Sequence, residues 1–245
     1  MRRRFLVGGL ALAVAAVAGC SKPAPPPKPK EAAPSPPPPA KPKPVDDLPP
    51  YDGPDTQRGS LMTEKGEIVV LLEGRKAPIT VNNFLHYVDT GKLDGAEFWR
   101  SSNQGGTGFV QAKTAGVKFP PIPHEPTSQT GLSHTNGTIS MTRFDVGTAT
   151  NEFTISIGDQ TYLDAGRDPK GDNQGYAAFG HVVKGMGVVR AILNGRISKD
   201  TPAGGWKGQM LAHRVKIVTA KRLDTAPQWQ RAETPVAPAF QEASS

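Results

Sequence analysis

Residues 149–157 read ATNEFTISI, and their alternation decides the fold. Phe153, Ile155 and Ile157 alternate with Glu152, Thr154 and Ser156, the two-residue period of a strand with one apolar and one polar face. Short runs of the same kind stand at Glu97 to Arg100, Gly108 to Lys113, Gly137 to Thr142, Ala177 to Val183 and Arg214 to Ala220. Glycine-rich loops separate them, which favours a closed antiparallel barrel over a βα alternation. Upstream, Ser60 to Thr63 and Glu67 to Leu72 flank Glu64-Lys65-Gly66 and predict a hairpin. Ala77-Pro78 opens a helix, ITVNNFLHYVDTGKL, with Ile79, Phe84, Leu85 and Val88 on one face and Gly91 at its end. A second helix is expected at Met186 to Leu193. The folded unit is therefore mostly β and occupies residues 59–224.

The two ends read differently. MRRRFLVGGLALAVAAVAGC, residues 1–20, joins three arginines to an apolar run too short to span a bilayer, where about 20 residues are needed, and reads as a secretory signal. Val17-Ala18-Gly19-Cys20 resembles the bacterial lipobox, in which the cysteine is acylated and becomes the mature N-terminus. Arg2 to Leu6 resembles part of a twin-arginine export motif, so the export route stays open between that system and Sec. Cys20 is the one cysteine of the chain, which excludes intrachain disulfides and cysteine-ligated metals. Residues 21–58 form a Pro/Lys-rich linker, extended at roughly 3 Å per residue. The tail from Thr225 to Ser245 is polar and Ala/Pro-rich and is expected to be disordered. The chain is thus placed in the bacterial cell envelope, lipid-anchored through Cys20. Ser21 after the anchor points to the outer membrane, facing the periplasm.

The net charge of +7 divides into +4 over residues 1–58 and +3 over residues 59–245. An exported protein with no basic stripe on its folded part is a poor nucleic-acid binder. The five histidines (86, 124, 134, 181 and 213) show no metal-ligand spacing. Gly105, Gly106 and Gly108 are not followed by Gly-Lys-Ser/Thr, so they make no phosphate loop and read as a flexible connector. No metal and no cofactor are expected.

Four separated segments, APITVNNFLHYVDTGKLDGAEFWR (77–100), TGLSHTNGTISMTR (130–143), NEFTISIGD (151–159) and GYAAFGHVVKGMGVVRAI (175–192), resemble the cyclophilin family of peptidyl-prolyl isomerases. The resemblance runs from Gly59 to Leu223, and GTISM and GYAAFG are of its bacterial kind. It implies an eight-stranded barrel capped by two helices, with a substrate groove on the outer face and side chains filling the interior. It also implies proline-containing polypeptides as substrates. The chain is taken as a monomer.

The chemistry needs neither nucleophile nor metal. An Xaa-Pro bond turns slowly because amide resonance imposes a barrier of about 18–20 kcal/mol, and twisting leaves a more basic proline nitrogen. A catalyst needs an apolar slot for the ring, donors for the neighbouring carbonyl and a cation near the nitrogen. By the resemblance, Arg100 is the catalytic cation, and a permanently charged planar guanidinium suits that task. Phe109, Val110 and Gln111 form the next part of the groove, although the intervening SSNQGGTG aligns poorly. Thr142 and Arg143 replace the family's usual Ala-Asn beneath the substrate. Glu152 replaces a glutamine, and Phe153 belongs to the core. Thr154 falls where the family has the phenylalanine that floors the proline pocket. Tyr162 and Leu163 make the wall, where Tyr162 in place of tryptophan implies weak cyclosporin binding, and Tyr176 replaces a histidine. These departures leave an alternative, a cyclophilin-like binding or chaperone module with weak or no isomerase activity.

Overall fold

A computed structural model describes residues 48, 50–114, 116, 118–201 and 206–223. The signal, Cys20, most of the linker and the tail from Thr225 lie outside these residues. Eight antiparallel strands form a closed barrel in the order β1-β2-β7-β5-β6-β4-β3-β8. They are β1 (Gln57–Thr63), β2 (Gly66–Leu72), β3 (Glu97–Gln104), β4 (Thr107–Lys113), β5 (Thr138–Met141), β6 (Phe153–Ile157), β7 (Ala177–Lys184) and β8 (Met210–Arg222). The last strand closes the ring by pairing with both β1 and β3.

Two longer helices, α1 (Pro78–Asp89) and α3 (Met186–Leu193), fall where the sequence predicts them. A single-turn helix α2 (Thr127–Thr130) and a 3-10 turn (Thr161–Leu163) are additional, too short to carry a hydrophobic period. Helix α1 has alanine at its N-cap, so its first amides look elsewhere for acceptors. Buried Glu125 supplies them, accepting from Ile79 N at 3.1 Å, Thr80 N at 2.8 Å and Thr80 Oγ1 at 2.7 Å.

Alternation fills the interior. Phe153, Ile155 and Ile157 of β6 and Val110 and Ala112 of β4 all belong to one buried cluster. Phe84 of α1 enters it, 5.5 Å from Phe153 in an edge-on contact and 5.3 Å from Phe179. Phe153→Ala is expected to lower stability by about 3–5 kcal/mol, the usual result of removing a fully buried ring. Denaturant unfolding measures it.

The segment SSNQGGTG is a hairpin, not a flexible connector. Strand β3 runs on to Gln104, and Gly105 and Gly106 make the two-residue turn with φ of +66° and +93°, as a type I′ hairpin requires. The strand lacks an apolar alternation because its polar residues serve α3. Ser101 Oγ donates to Leu193 O at 2.6 Å and Asn103 Nδ2 to Asn194 Oδ1 at 2.9 Å, meeting acceptors at the helix C-terminus. At the other end, β1 starts at Gln57, and Leu48 and Tyr51 pack against the core, so the ordered fold reaches back past residue 59.

Candidate active site

Hydrogen-bonding register aligns one row of residues across the barrel. Ser140 of β5 opposes Thr154 of β6, Thr154 opposes Gln111 of β4, and Gln111 opposes Arg100 of β3. In β4 and β6 the row lies on the face away from the core, because it alternates with Val110, Phe153 and Ile155. Arg100 joins it only through a bulge. Strict alternation would turn Phe98 and Arg100 to the same side, and Phe98 is fully buried. The register shifts between Phe98 and Arg100 against both neighbouring strands, leaving Trp99 unpaired, so Phe98 faces Ala112 inside while Arg100 faces Gln111 outside. This is the re-aiming that a β-bulge performs.

Above the row lies a cavity of about 420 Å³, lined by Arg100, Phe109, Gln111, Thr142, Arg143, Phe144, Thr154, Tyr162, Leu163, Tyr176 and Trp206. Its size falls within the range of ligand pockets. Arg100 Nη1 donates to Gln111 Oε1 at 3.0 Å and Arg100 Nε to Gln209 Oε1 at 2.8 Å, which among the described residues leaves Nη2 without a partner. Burial draws its pKa down from the usual guanidinium value, and Tyr176, Tyr162 and Glu152 oppose the shift. A guanidinium remains charged throughout.

The structure brings nine of the anticipated groove residues to this cavity and places two elsewhere. Val110 is fully buried and points into the barrel, a correction that follows from alternation, since Phe109 and Gln111 on either side of it face out. Glu152 sits beside the groove, in a neighbouring cavity with Lys118, Thr142, Arg143, Phe144, Thr148 and Thr150. It accepts from Gln111 Nε2 at 2.7 Å, so the glutamine links acid to cation. Thr154 is the floor, and its Oγ1 lies 2.9 Å from Ser140 Oγ. Arg143 does not project freely. It donates to Asp172 through both Nη1 and Nη2, at 2.5 and 2.8 Å, and to Gly175 O, so its charge is neutralised and the 166–175 loop is tied to the groove. The Arg143 bonds hold the Asp172 carboxyl at about 2, well below the carboxylate range. The group titrates low in the fold, so this tie is intact at neutral pH and is lost only as pH falls from about 4 toward 2.

His134 secures the wall. It is fully buried; its backbone N donates to Asp164 Oδ1 at 2.9 Å, its Nδ1 lies 2.6 Å from the same oxygen, and its carbonyl accepts Gln160 N at 2.8 Å. Gln160 and Asp164 bracket Tyr162 and Leu163. Burial lowers the His134 pKa, with Asp164 opposing, and Nε2 is buried without a hydrogen-bond partner among the described residues. A neutral imidazole donating from Nδ1 fits this site. Because the folded pKa lies below the unfolded value of about 6.5, stability is full above that value and declines as pH falls through it. Thermal midpoints measured from pH 7.5 to 5 should therefore fall with acid, with a shallower slope in His134→Gln.

Phe144, Trp206 and Gln209 escape a reading of the sequence. Trp206 lies in a polar Gly-rich stretch, TPAGGWKGQ, with no period to attach it to the groove. An isolated tryptophan among glycines was the one available signal. Its ring lies 4.0 Å from the Arg100 guanidinium, and Phe109 lies 5.0 Å from it.

Residues 60–222 match the family model for cyclophilin type peptidyl-prolyl cis-trans isomerase/CLD, and the chain belongs to that family. Among its relatives, peptidyl-prolyl cis-trans isomerase A of Dickeya dadantii is 39% identical over 137 residues, covering 54% of this chain and 68% of that protein. The peptidyl-prolyl cis-trans isomerase of Acinetobacter baylyi is 37% identical over 173 residues, covering 68% and 86%. A crystal structure of a cyclophilin type peptidyl-prolyl cis-trans isomerase from Cryptosporidium parvum matches with a TM-score of 0.56 at 16% identity, covering 70% of this chain and 99% of that one. A second structure of that protein, in the presence of the dipeptide Ala-Pro, matches with a TM-score of 0.54 at 16% identity, covering 69% and 100%.

Proposed function

We propose that this chain catalyses cis/trans exchange of Xaa-Pro bonds and assists folding of proteins in the bacterial cell envelope, held there by a lipid on Cys20. The observation that carries the catalytic part is the guanidinium of Arg100, turned to the groove by the β3 bulge and fixed by Gln111 and Gln209. Phe109, Tyr162 and Leu163 supply the apolar surface for a proline ring. Rotation about the amide localises the lone pair on the proline nitrogen, and a fixed cation with a free N–H stabilises that charge more than it stabilises the planar ground state. Each tenfold in rate needs about 1.4 kcal/mol of such preference. Relatives named as isomerases, and the Ala-Pro dipeptide of the Cryptosporidium structure, support a proline-containing substrate. The test is exchange in a prolyl peptide followed by NMR with the full chain: acceleration proportional to protein concentration is expected, and an uncatalysed rate would overturn the reading.

The envelope part rests on residues 1–20 and on the linker. Metabolic labelling with a radioactive fatty acid is expected to mark the wild type and leave Cys20→Ser unlabelled; equal labelling would remove the anchor. A second reading, a binding module with little catalysis, is favoured by the Thr154–Ser140 hydroxyl pair, which gives the ring a polar floor. It requires that Arg100→Ala protect unfolded clients from aggregation as well as the wild type does.

A further inference from the structure

The Arg100 cation is held from two sides of the sequence. Gln111, in the neighbouring strand, is one support. The other is a four-residue turn leading into β8, closed by Gln209 N donating to Trp206 O at 3.0 Å, with Gly208 at φ +74°. Ser101 N fixes this turn to β3 by donating to Gln209 O at 2.8 Å. From it the guanidinium receives two contacts, the Gln209 side-chain Oε1, which accepts from Arg100 Nε at 2.8 Å, and the Trp206 ring at 4.0 Å.

Trp206 does not earn its place by packing. It is outside the hydrophobic core cluster and remains 50% exposed, while lining the groove. A large ring kept half in water beside a ligand-sized cavity needs a partner for its open half. The groups in direct contact with the Arg100 guanidinium also share a property: Gln111, Gln209, Phe109 and Trp206 are all neutral, and the acid Glu152 reaches it only through Gln111. A carboxylate bonded directly to the guanidinium would cancel much of the charge that the substrate must feel. An indole attracts the cation through its quadrupole and leaves that charge uncompensated.

We propose that Trp206 is a positioning residue for Arg100, and that the exposed half of its indole is the subsite for an aromatic or bulky apolar side chain flanking the substrate proline. The inference rests on the isomerase reading given above. Orientation of the guanidinium before the amide twists favours the transition state, so losing it lowers kcat. Contact between the indole and a flanking side chain exists before and during rotation, so it acts on KM.

The test uses the full chain and two prolyl peptides that differ only in having alanine or phenylalanine next to the proline. Trp206→Ala is expected to lower kcat about tenfold on both, the scale of one cation–π contact between the exposed and the desolvated limits, and to abolish a wild-type preference in KM for the phenylalanine peptide. Trp206→Phe is expected to recover most of kcat. Peptide titration followed by tryptophan emission should change the wild-type signal and leave that of Trp206→Phe unmoved, which reports binding whether or not turnover is detected. Wild-type kcat and KM preference in Trp206→Ala, with activity lost in Arg100→Ala, would overturn the inference and leave the isomerase reading standing. Absence of activity in the wild type, with Trp206 emission still responding to peptide, would remove the isomerase reading and the positioning role while keeping the subsite.

Discussion

Arg100→Ala is expected to lower kcat/KM for a prolyl peptide by roughly 10²- to 10³-fold, the range seen when one preorganised electrostatic donor is removed from an active site. The loss should appear in kcat, because the cation acts on charge that develops only as the amide twists. Arg100→Lys is expected to fall between, keeping the charge and losing the planar fork that engages Gln111 and Gln209 together. Thermal unfolding of the same proteins separates site from scaffold: Arg100 lies outside the buried core, so its midpoint should move far less than that of Phe153→Ala. NMR exchange rates equal to wild type in Arg100→Ala would sink the assignment.

The second large effect is a gain. Thr154→Phe puts an aromatic floor under the groove, and burying that ring against a proline is worth on the order of 1–3 kcal/mol. A rise in kcat/KM of about tenfold is expected, paired with a lower thermal midpoint. The instability has a named source: Ser140 is 1% exposed and its Oγ has Thr154 Oγ1 at 2.9 Å, so the new ring strands a buried hydroxyl at a penalty of about 1–3 kcal/mol. Adding Ser140→Ala removes the stranded group and should restore the midpoint while keeping the rate. If the double variant is as slow as the wild type on every peptide, the floor does not limit this protein.

Alternation within single strands was the part of the structure most legible beforehand. Phe153, Ile155 and Ile157 announce their side of the sheet, and the same period along the strand Gly108 to Lys113 sends Val110 inside between Phe109 and Gln111, against its place in the groove by resemblance. Closure of the barrel is already favoured by the glycine-rich loops between short strands, and the strand number and the two capping helices come from the resemblance. What stayed hidden depends on contacts distant in sequence. The bulge at Trp99 breaks the period at the residue that matters most, and no local signal marks it, because it depends on the registers of β4 and β8. Trp206 and Gln209 reach Arg100 across more than a hundred residues. Nothing near Arg143 in the sequence marks its partner, because Asp172, whose carboxylate balances its charge, stands on a loop too irregular to place from sequence.

The closure of the barrel has a consequence for biosynthesis. Strands β1 and β3 both wait for β8, and the turn that grips Arg100 leads directly into that strand. A nascent chain that ends before Trp206 therefore carries two unpaired strand edges and a guanidinium held by Gln111 alone. Unpaired edges invite association with other chains. Release of the C-terminal segment both seals those edges and completes the groove, so the machinery for acting on other polypeptides is assembled in the same step that ends this one's own need for protection.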